Sequence, residues 1–317
     1  MELSQIDIVG DVHGQFDALD KLLKQLEYGC SGQQWSHPKG RTLLFLGDLI
    51  DRGPKCREVV QTVRALVEQG IAICLMGNHE FNAVQYHTEY PDSPGEYIRP
   101  HTEIKNIEQH KEFMNSYAGH EAEINSVIAW FSTLPVAIET SAFRAVHACW
   151  SSSHLNNLRK EGNAWYMDAL PWVDAADENH KMFKTIEILL KGPEVKLPNG
   201  LFFMDKDKNK RHSARVSWWK ECPKTWCEAV DSVANINRQL DGIVYDGEAW
   251  AYSESQKPVF FGHYWRTGEV QLDSPNTFCV DYSAGNGGPL TAYRFDASHS
   301  ELSVDHIRQV NVRDLQG

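Results

Sequence analysis

Three stretches decide the fold: Ile6-Asp7-Ile8-Val9-Gly10-Asp11-Val12-His13-Gly14, then Leu43-Leu44-Phe45-Leu46-Gly47-Asp48-Leu49-Ile50-Asp51-Arg52-Gly53, then Ile71-Ala72-Ile73-Cys74-Leu75-Met76-Gly77-Asn78-His79-Glu80. Each begins as a short apolar run of strand length and ends in glycine plus polar residues. Between the first two, Phe16, Leu19, Leu22, Leu23 and Leu26 recur at helical spacing. Between the second and third, Val59, Val60, Val63, Leu66 and Val67 do the same, closed by Gly70. Strand, helix, strand, helix, strand predicts parallel pairing with helical crossovers. Ligands in such sheets gather at the carboxyl ends of the strands, so three polar clusters should meet on one edge.

Outward from this core the chain reads as helical from about Ile104 to Phe131, after a proline-rich loop around Pro91, Pro94 and Pro100. Val136–Glu139 and Phe143–His147 read as a strand pair. The stretch from Trp150 to Trp226 is irregular and holds six of the 10 tryptophans, at 150, 165, 172, 218, 219 and 226. Strands return at Val259–Gly262, Phe278–Asp281, Leu290–Phe295 and Leu302–Ile307; without long helices between them, antiparallel pairing is expected. His147 and His263 each end one of these later apolar strands.

The 317 residues suit one large or two ordinary domains, and 42% hydrophobic with 23% charged residues is a globular balance. No apolar run approaches the roughly 20 residues of a membrane helix. A net charge of −12 argues against a broad nucleic-acid or anionic-membrane surface; an anionic substrate stays open, because bound cations invert a local potential. No leader-like segment opens the sequence, and 7 scattered cysteines without a Cys-x-x-Cys pair suit reduced thiols, so a cytoplasmic location is expected. Asp205-Lys206-Asp207-Lys208-Asn209 starts like a calcium loop, but Lys210 stands at its sixth position and Val216 at its twelfth, which excludes that reading.

A glycine-aspartate turn after a strand is common. Turn chemistry does not account for His13, Asp51, Arg52 and His79 beside three such turns. Carboxylate oxygens, imidazole nitrogens and amide oxygens are ligands for Mn, Fe and Zn, and Asp-x-His sets two of them on one side of an extended chain. In this order, Gly-Asp-x-His-Gly, Gly-Asp-x-x-Asp-Arg-Gly and Gly-Asn-His-Glu resemble the signature of calcineurin-like metallophosphoesterases. Asp51-Arg52-Gly53 and Asn78-His79-Glu80 resemble the phosphoprotein phosphatase branch, which includes diadenosine tetraphosphatase-like bacterial enzymes. Tryptophan at 265, where broader families carry a second histidine in Gly-His-x-His, narrows the resemblance to that branch.

The resemblance implies a single α/β domain over residues 1–317, a four-layer α/β/β/α sandwich of two mixed sheets, with residues 150–235 inserted and shaping the substrate cleft. It implies a centre of two divalent metal ions, manganese foremost and iron or zinc as alternatives. Asp11 and His13 would hold the first ion, Asp48 would bridge, and Asn78, His147 and His263 would complete the second. His79 would be the general acid, oriented by Asp51. Arg52, with Asn78, would hold phosphate oxygens, and Arg215 is the candidate for a second arginine there. The expected activity is hydrolysis of a phosphomonoester, phosphoserine or phosphothreonine in proteins included, with a phosphorylated protein or small molecule as the partner and neither nucleic acid nor membrane. The alternatives are a dinucleoside polyphosphate hydrolase and, behind it, a non-catalytic scaffold of the same fold.

Overall fold

The computed structural model describes residues 3–167, 172–204, 210–231 and 236–315. Its first sheet holds β1 (Gln5–Val9), β2 (Thr42–Phe45) and β3 (Ala72–Cys74), with two closing strands, and α1 (Phe16–Gln25) and α2 (Cys56–Glu68) make the crossovers. β1 pairs parallel with β2, and β2 parallel with β3. α2 stops where Gly70 turns to a φ of 71°; the Gly70 amide then donates to the Val67 carbonyl and the Ile71 amide to Leu66. That left-handed C-terminal cap is cheap only for glycine. α3 (Asn78–His87) follows, then α4 (Ile104–Ser116) and α5 (Ile124–Phe131). Between α3 and α4 the proline-rich stretch forms a small ribbon, Glu89–Tyr90 against Ser93–Tyr97.

The second sheet contains β4 (Ala137–Glu139), β5 (Arg144–Val146), β6 (Arg159–Glu161), β7 (Ala164–Tyr166), β8 (Val259–Phe261) and β9 (Thr277–Cys279), in the order β6-β7-β4-β5-β8-β9. β10 (Pro289–Asp296) and β11 (Ile307–Asn311) return to the first sheet, whose order is β11-β10-β1-β2-β3. Ile6, Ile8, Leu44, Leu46 and Leu75 of the first sheet pack with Phe143, Ala145, Phe260, Phe278 and Val280 of the second. The alternate residues Val9, Leu43, Phe45, Val146 and Phe261 face outward into a second core with the helices. Period-two alternation thus builds two cores from one set of strands, and the layers are α/β/β/α.

Two expectations about the last third are corrected. β8 pairs parallel with both β5 and β9, not antiparallel; residues 262–276 form a loop long enough to carry the chain back without a helix. β10 does pair antiparallel, with both β1 and β11. The last strand is Ile307–Asn311 rather than Leu302–Ile307, because Ser303 caps a helical turn at Val304–His306 through the Asp305 amide. Leu302 instead plugs the inter-sheet core.

The irregular stretch contains a helix, α6 (Lys181–Lys191), which buries Met182, Thr185, Ile186, Leu189 and Leu190. That spacing was readable but lay among turn residues. All six tryptophans of the stretch are buried. Beyond α6, Val195, Leu197, Ala214, Val216, Trp226 and Val230 form a small core of their own. The rejected calcium-loop residues 205–209, with Lys206 and Lys208, lie outside the described residues; Lys210 is exposed over the Phe202 ring. The 7 cysteines are free thiols. No helix among the described residues is long and apolar enough to cross a membrane.

A buried charge cluster pins the middle of the first sheet. Asp7 on β1 is fully buried and accepts from Arg41 Nε at 3.0 Å, Arg294 Nε at 3.1 Å and the Tyr28 hydroxyl at 3.1 Å. Arg41 also donates to the carbonyls of Ile6 and Phe295, so one guanidinium ties the first and last parts of the chain. Asp7→Ala leaves these cations without their anion and should cost about 3–5 kcal/mol, read as a lowered midpoint in urea unfolding.

Candidate metal centre

Six strand ends meet at one edge. β1, β2 and β3 deliver Asp11 with His13, Asp48, and Asn78 with His79; β5, β8 and β9 deliver His147, His263 and Asp281. The loops fit tightly: a Cβ on Gly77 would lie 2.3 Å from the Asp48 amide nitrogen, and one on Gly47 would lie 2.4 Å from the Gly77 nitrogen. The chain bends sharply to aim the side chains inward. His13, Asp48, Asp51, Arg52 and His263 all have φ between 47° and 69°, a left-handed conformation that side chains adopt only where surrounding contacts enforce it.

Asp48 is the hub. One carboxylate oxygen lies 3.6 Å from His13 Nε2 and 3.9 Å from His79 Nε2; the other lies 3.5 Å from His147 Nε2. His147 Nε2 is also 3.2 Å from the Asn78 amide oxygen. Donor atoms of His13, Asp48 and His79 lie within 4.8 Å of one another, as do those of Asp48, His147 and His263. Asp48 therefore belongs to two adjacent clusters. Asp11 sits across from it, its carboxylate accepting the His263 backbone amide at 3.2 Å.

The second partners of the histidines settle their tautomers. His13 Nδ1 is 2.8 Å from the Ile50 carbonyl and His147 Nδ1 is 2.8 Å from that of Leu46. Each Nδ1–H donates to its carbonyl, which leaves the Nε2 lone pair facing the site. Burial, with the neighbouring His79, pushes His13 down to about 3, so it stands there as a neutral ligand. Burial and the Arg215 charge, with the neighbouring His147, lower His263 as well.

Cations fit this set. Both ring nitrogens of His263 are buried and have no hydrogen-bond partner among the described residues. Burial, Asp281 and Asp48 together push the Asp11 carboxyl well above its usual range. Burial and the Asp48 charge push Glu80 up to about 7. Carboxylates this crowded and this dry call for a neutralising positive charge, and orphaned imidazole nitrogens supply ligands for it.

Around the hub, Asp51 accepts His79 Nδ1–H at 2.5 Å. Burial opposes the charge on Asp51, but hydrogen bonds from His110 and His79 hold it down to about 2. The Arg52 guanidinium lies 3.9 Å from the Trp265 ring centre, a cation–π contact on the residue that stands in the Gly-His-x-His position. Arg215 leaves a short ribbon, Ser213–Arg215 against Glu194–Lys196, and lies 5.7 Å from the Tyr264 ring. Its charge is among the causes that lower His263.

Sequence reading missed three contributors. Glu80 accepts from the amides of Asp48, Leu49 and Gly77 at 2.8, 2.8 and 3.0 Å; a glutamate three residues after a helix-capping position was the available signal. Asp281 accepts from the Trp265 and Ser283 amides and ends β9 as Asp11 follows β1. His110, on α4, had no motif around it.

A sandwich whose parallel strands from two sheets converge on such a carboxylate–imidazole–amide cluster defines a metal-centred phosphoesterase scaffold. Residues 4–230 match the calcineurin-like phosphoesterase family, and the chain belongs to that family. It is 45% identical over 75 residues to the asymmetrical bis(5'-nucleosyl)-tetraphosphatase PrpE of Halalkalibacterium halodurans, covering 24% of this chain and 30% of that protein. The PrpE of Anoxybacillus flavithermus is 47% identical over 73 residues, 23% of this chain and 30% of the relative. The chain thus spans under a third of the length of these curated relatives. A protein serine/threonine phosphatase structure from Saccharomyces cerevisiae superposes with a TM-score of 0.52 at 15% identity, over 98% of this chain and 80% of that one, a likeness of fold.

If Asp48 is shared and His263 is a ligand of one ion only, His263→Ala should lower bound metal from two ions per chain to one, and Asp48→Ala should strip both. Elemental analysis after gel filtration measures this.

Proposed function

We propose that this protein is a phosphoester hydrolase with a centre of two divalent metal ions, acting on a phosphomonoester. The observation that carries the reading is the position of Asp48, which touches two imidazole clusters at once. Asp11, His13 and Asp48 would hold one ion, and Asp48, Asn78, His147 and His263 the other. Bound there, divalent cations supply Lewis-acid activation of water and of phosphoryl oxygens; manganese, iron and zinc all suit mixed oxygen and nitrogen donors.

The chain's own groups do the rest. His79, held at Nδ1 by Asp51, presents Nε2 to the centre and gives its proton to the departing oxygen. Asn78, at the head of α3, lies where it can serve both an ion and a phosphoryl oxygen. Arg52 reaches the phosphoryl group with its plane fixed against Trp265, and Arg215 approaches from the side of His263. Two arginines on one phosphoryl group stabilise charge as it develops. Residues 150–235, within a single domain, would form the wall that carries Arg215 and set specificity.

A second reading, hydrolysis of a dinucleoside polyphosphate, is favoured by the tetraphosphatase names of the curated relatives. The six tryptophans of the 150–226 stretch are buried and offer no nucleobase platform, whereas Trp265 is half-buried beside Arg52. Manganese-loaded protein assayed on p-nitrophenyl phosphate, a phosphothreonine peptide and diadenosine tetraphosphate separates the two. Preference for the nucleotide by kcat/KM would reverse their order, and inactivity on all three would favour the scaffold.

His79→Asn should retain metal and lower kcat on the peptide by about 10²–10⁴, and less on p-nitrophenyl phosphate, whose leaving group needs little help. Loss of metal in this variant would instead make His79 a ligand. Arg215→Ala should lower kcat/KM with metal content unchanged; wild-type kinetics would place the arginine outside the site.

A further inference from the structure

The Asp51 carboxylate serves two histidines. His79 Nδ1 is 2.5 Å from one oxygen, and His110 Nδ1 is 3.2 Å from the other. His110 comes from α4, 59 residues along the chain from Asp51, and belongs to none of the motifs. Its ring is buried, stacked on Phe113 at 4.5 Å and beside Tyr86 at 5.0 Å. On its far side, His110 Nε2 is 3.2 Å from His87 Nε2.

The protons follow from the partners. Asp51 is ionised, so both Nδ1 atoms facing it carry hydrogen. A neutral His110 then has a lone pair at Nε2, and His87 donates its Nε2–H there. Burial, the foremost cause, brings His87 down to about 4, which keeps it a neutral donor near pH 7. The chain His79–Asp51–His110–His87 is satisfied with one proton in each hydrogen bond.

We infer that His110 is a positioning residue for the proton donor of the proposed reaction: it holds the second oxygen of Asp51, so that the carboxylate cannot turn away from His79. Asp51 stands in a left-handed turn with φ of 67° and its neighbour Arg52 is also left-handed, so the backbone alone is a poor anchor. A carboxylate held at one oxygen can rotate about its Cβ–Cγ bond; held at both, it cannot. His79 is oriented only as well as its partner is. The device also ties α4 to the metal-site loops, and His87, two turns along the same α3 that begins with Asn78 and His79, sets the tautomer that His110 needs.

This inference rests on the proposed phosphoester hydrolysis, and the experiment separates the two. With His110→Phe, kcat on phenyl phosphate, a poor leaving group, should fall about ten- to a hundredfold. KM and metal content should hold, and p-nitrophenyl phosphate should be hydrolysed nearly as before. His110→Asn, which keeps an N–H near the place of Nδ1, should recover most of the loss. Equal losses on both esters, or His110→Asn as poor as His110→Phe, would overturn the role, since a packing defect ignores the leaving group and is not rescued by a smaller amide. If His110→Phe does not fold, His87→Phe carries the test, with a smaller loss confined to phenyl phosphate expected and an unselective loss overturning the role. The second arm needs no activity. In metal-free, ¹⁵N-histidine-labelled protein, the His110 Nδ1–H should appear downfield and slow to exchange. A rapidly exchanging proton there overturns the shared carboxylate, whereas wild-type inactivity on every ester with that proton protected would sink the proposed function alone.

Discussion

One buried carboxylate holds the edge together. Glu80 has no exposure and takes the backbone amides of Asp48, Leu49 and Gly77. It thereby locks the loop after β2 to the loop after β3, where the interlocked glycines 47 and 77 leave no room for a Cβ. Were those amides unpaired, each would be a buried orphan donor costing about 1–3 kcal/mol. With them paired, Asp48 has one position, and every other group at the site is placed relative to it.

The site also stores strain. Left-handed side-chain-bearing residues are each worth about 1–3 kcal/mol of unfavourable backbone energy, and His13, Asp48, Asp51, Arg52 and His263 are all of this kind. Packing of two sheets around Phe143, Phe260, Phe278 and Tyr293 supplies the rigidity that maintains it. The charges add a second cost: Asp11, Asp48, Glu80 and Asp281 are buried together, with His13 and His263 driven to neutrality. A structure stable with such a cluster is preorganised for cations, because the ligands need no rearrangement and gain a counter-charge.

The hydrogen-bonded line from His79 through Asp51 to His110 and His87 gives α4 a place in this arrangement. Helices α1 and α2 are crossovers whose buried faces fill the core. α4 instead reaches the centre with one imidazole, and a substitution along it can act on chemistry without touching a ligand.

The sequence by itself determined the motif half of the protein. β1, β2 and β3, the helices α1 and α2, and the polar residues at the strand ends are contiguous in the chain, so period and turn chemistry declare them locally; the resemblance they carry extends to the family and the four-layer fold. Tertiary structure decided what depends on distant partners. The parallel pairing of β8 with β5 and β9 follows from the path of the 262–276 loop, which has no periodicity to read. Five of the six tryptophans of the 150–226 stretch became part of the main helix-side core and Trp226 part of the small core beyond α6, through partners distant in the chain. Arg215 is held on a ribbon by pairing with Glu194–Lys196, a partner distant in the chain. Glu80, Asp281 and His110 acquired their tasks only when amides and a carboxylate from other strands came within 3.2 Å. A single buried polar side chain leaves no period in a sequence, and its meaning lies in which orphan group it meets.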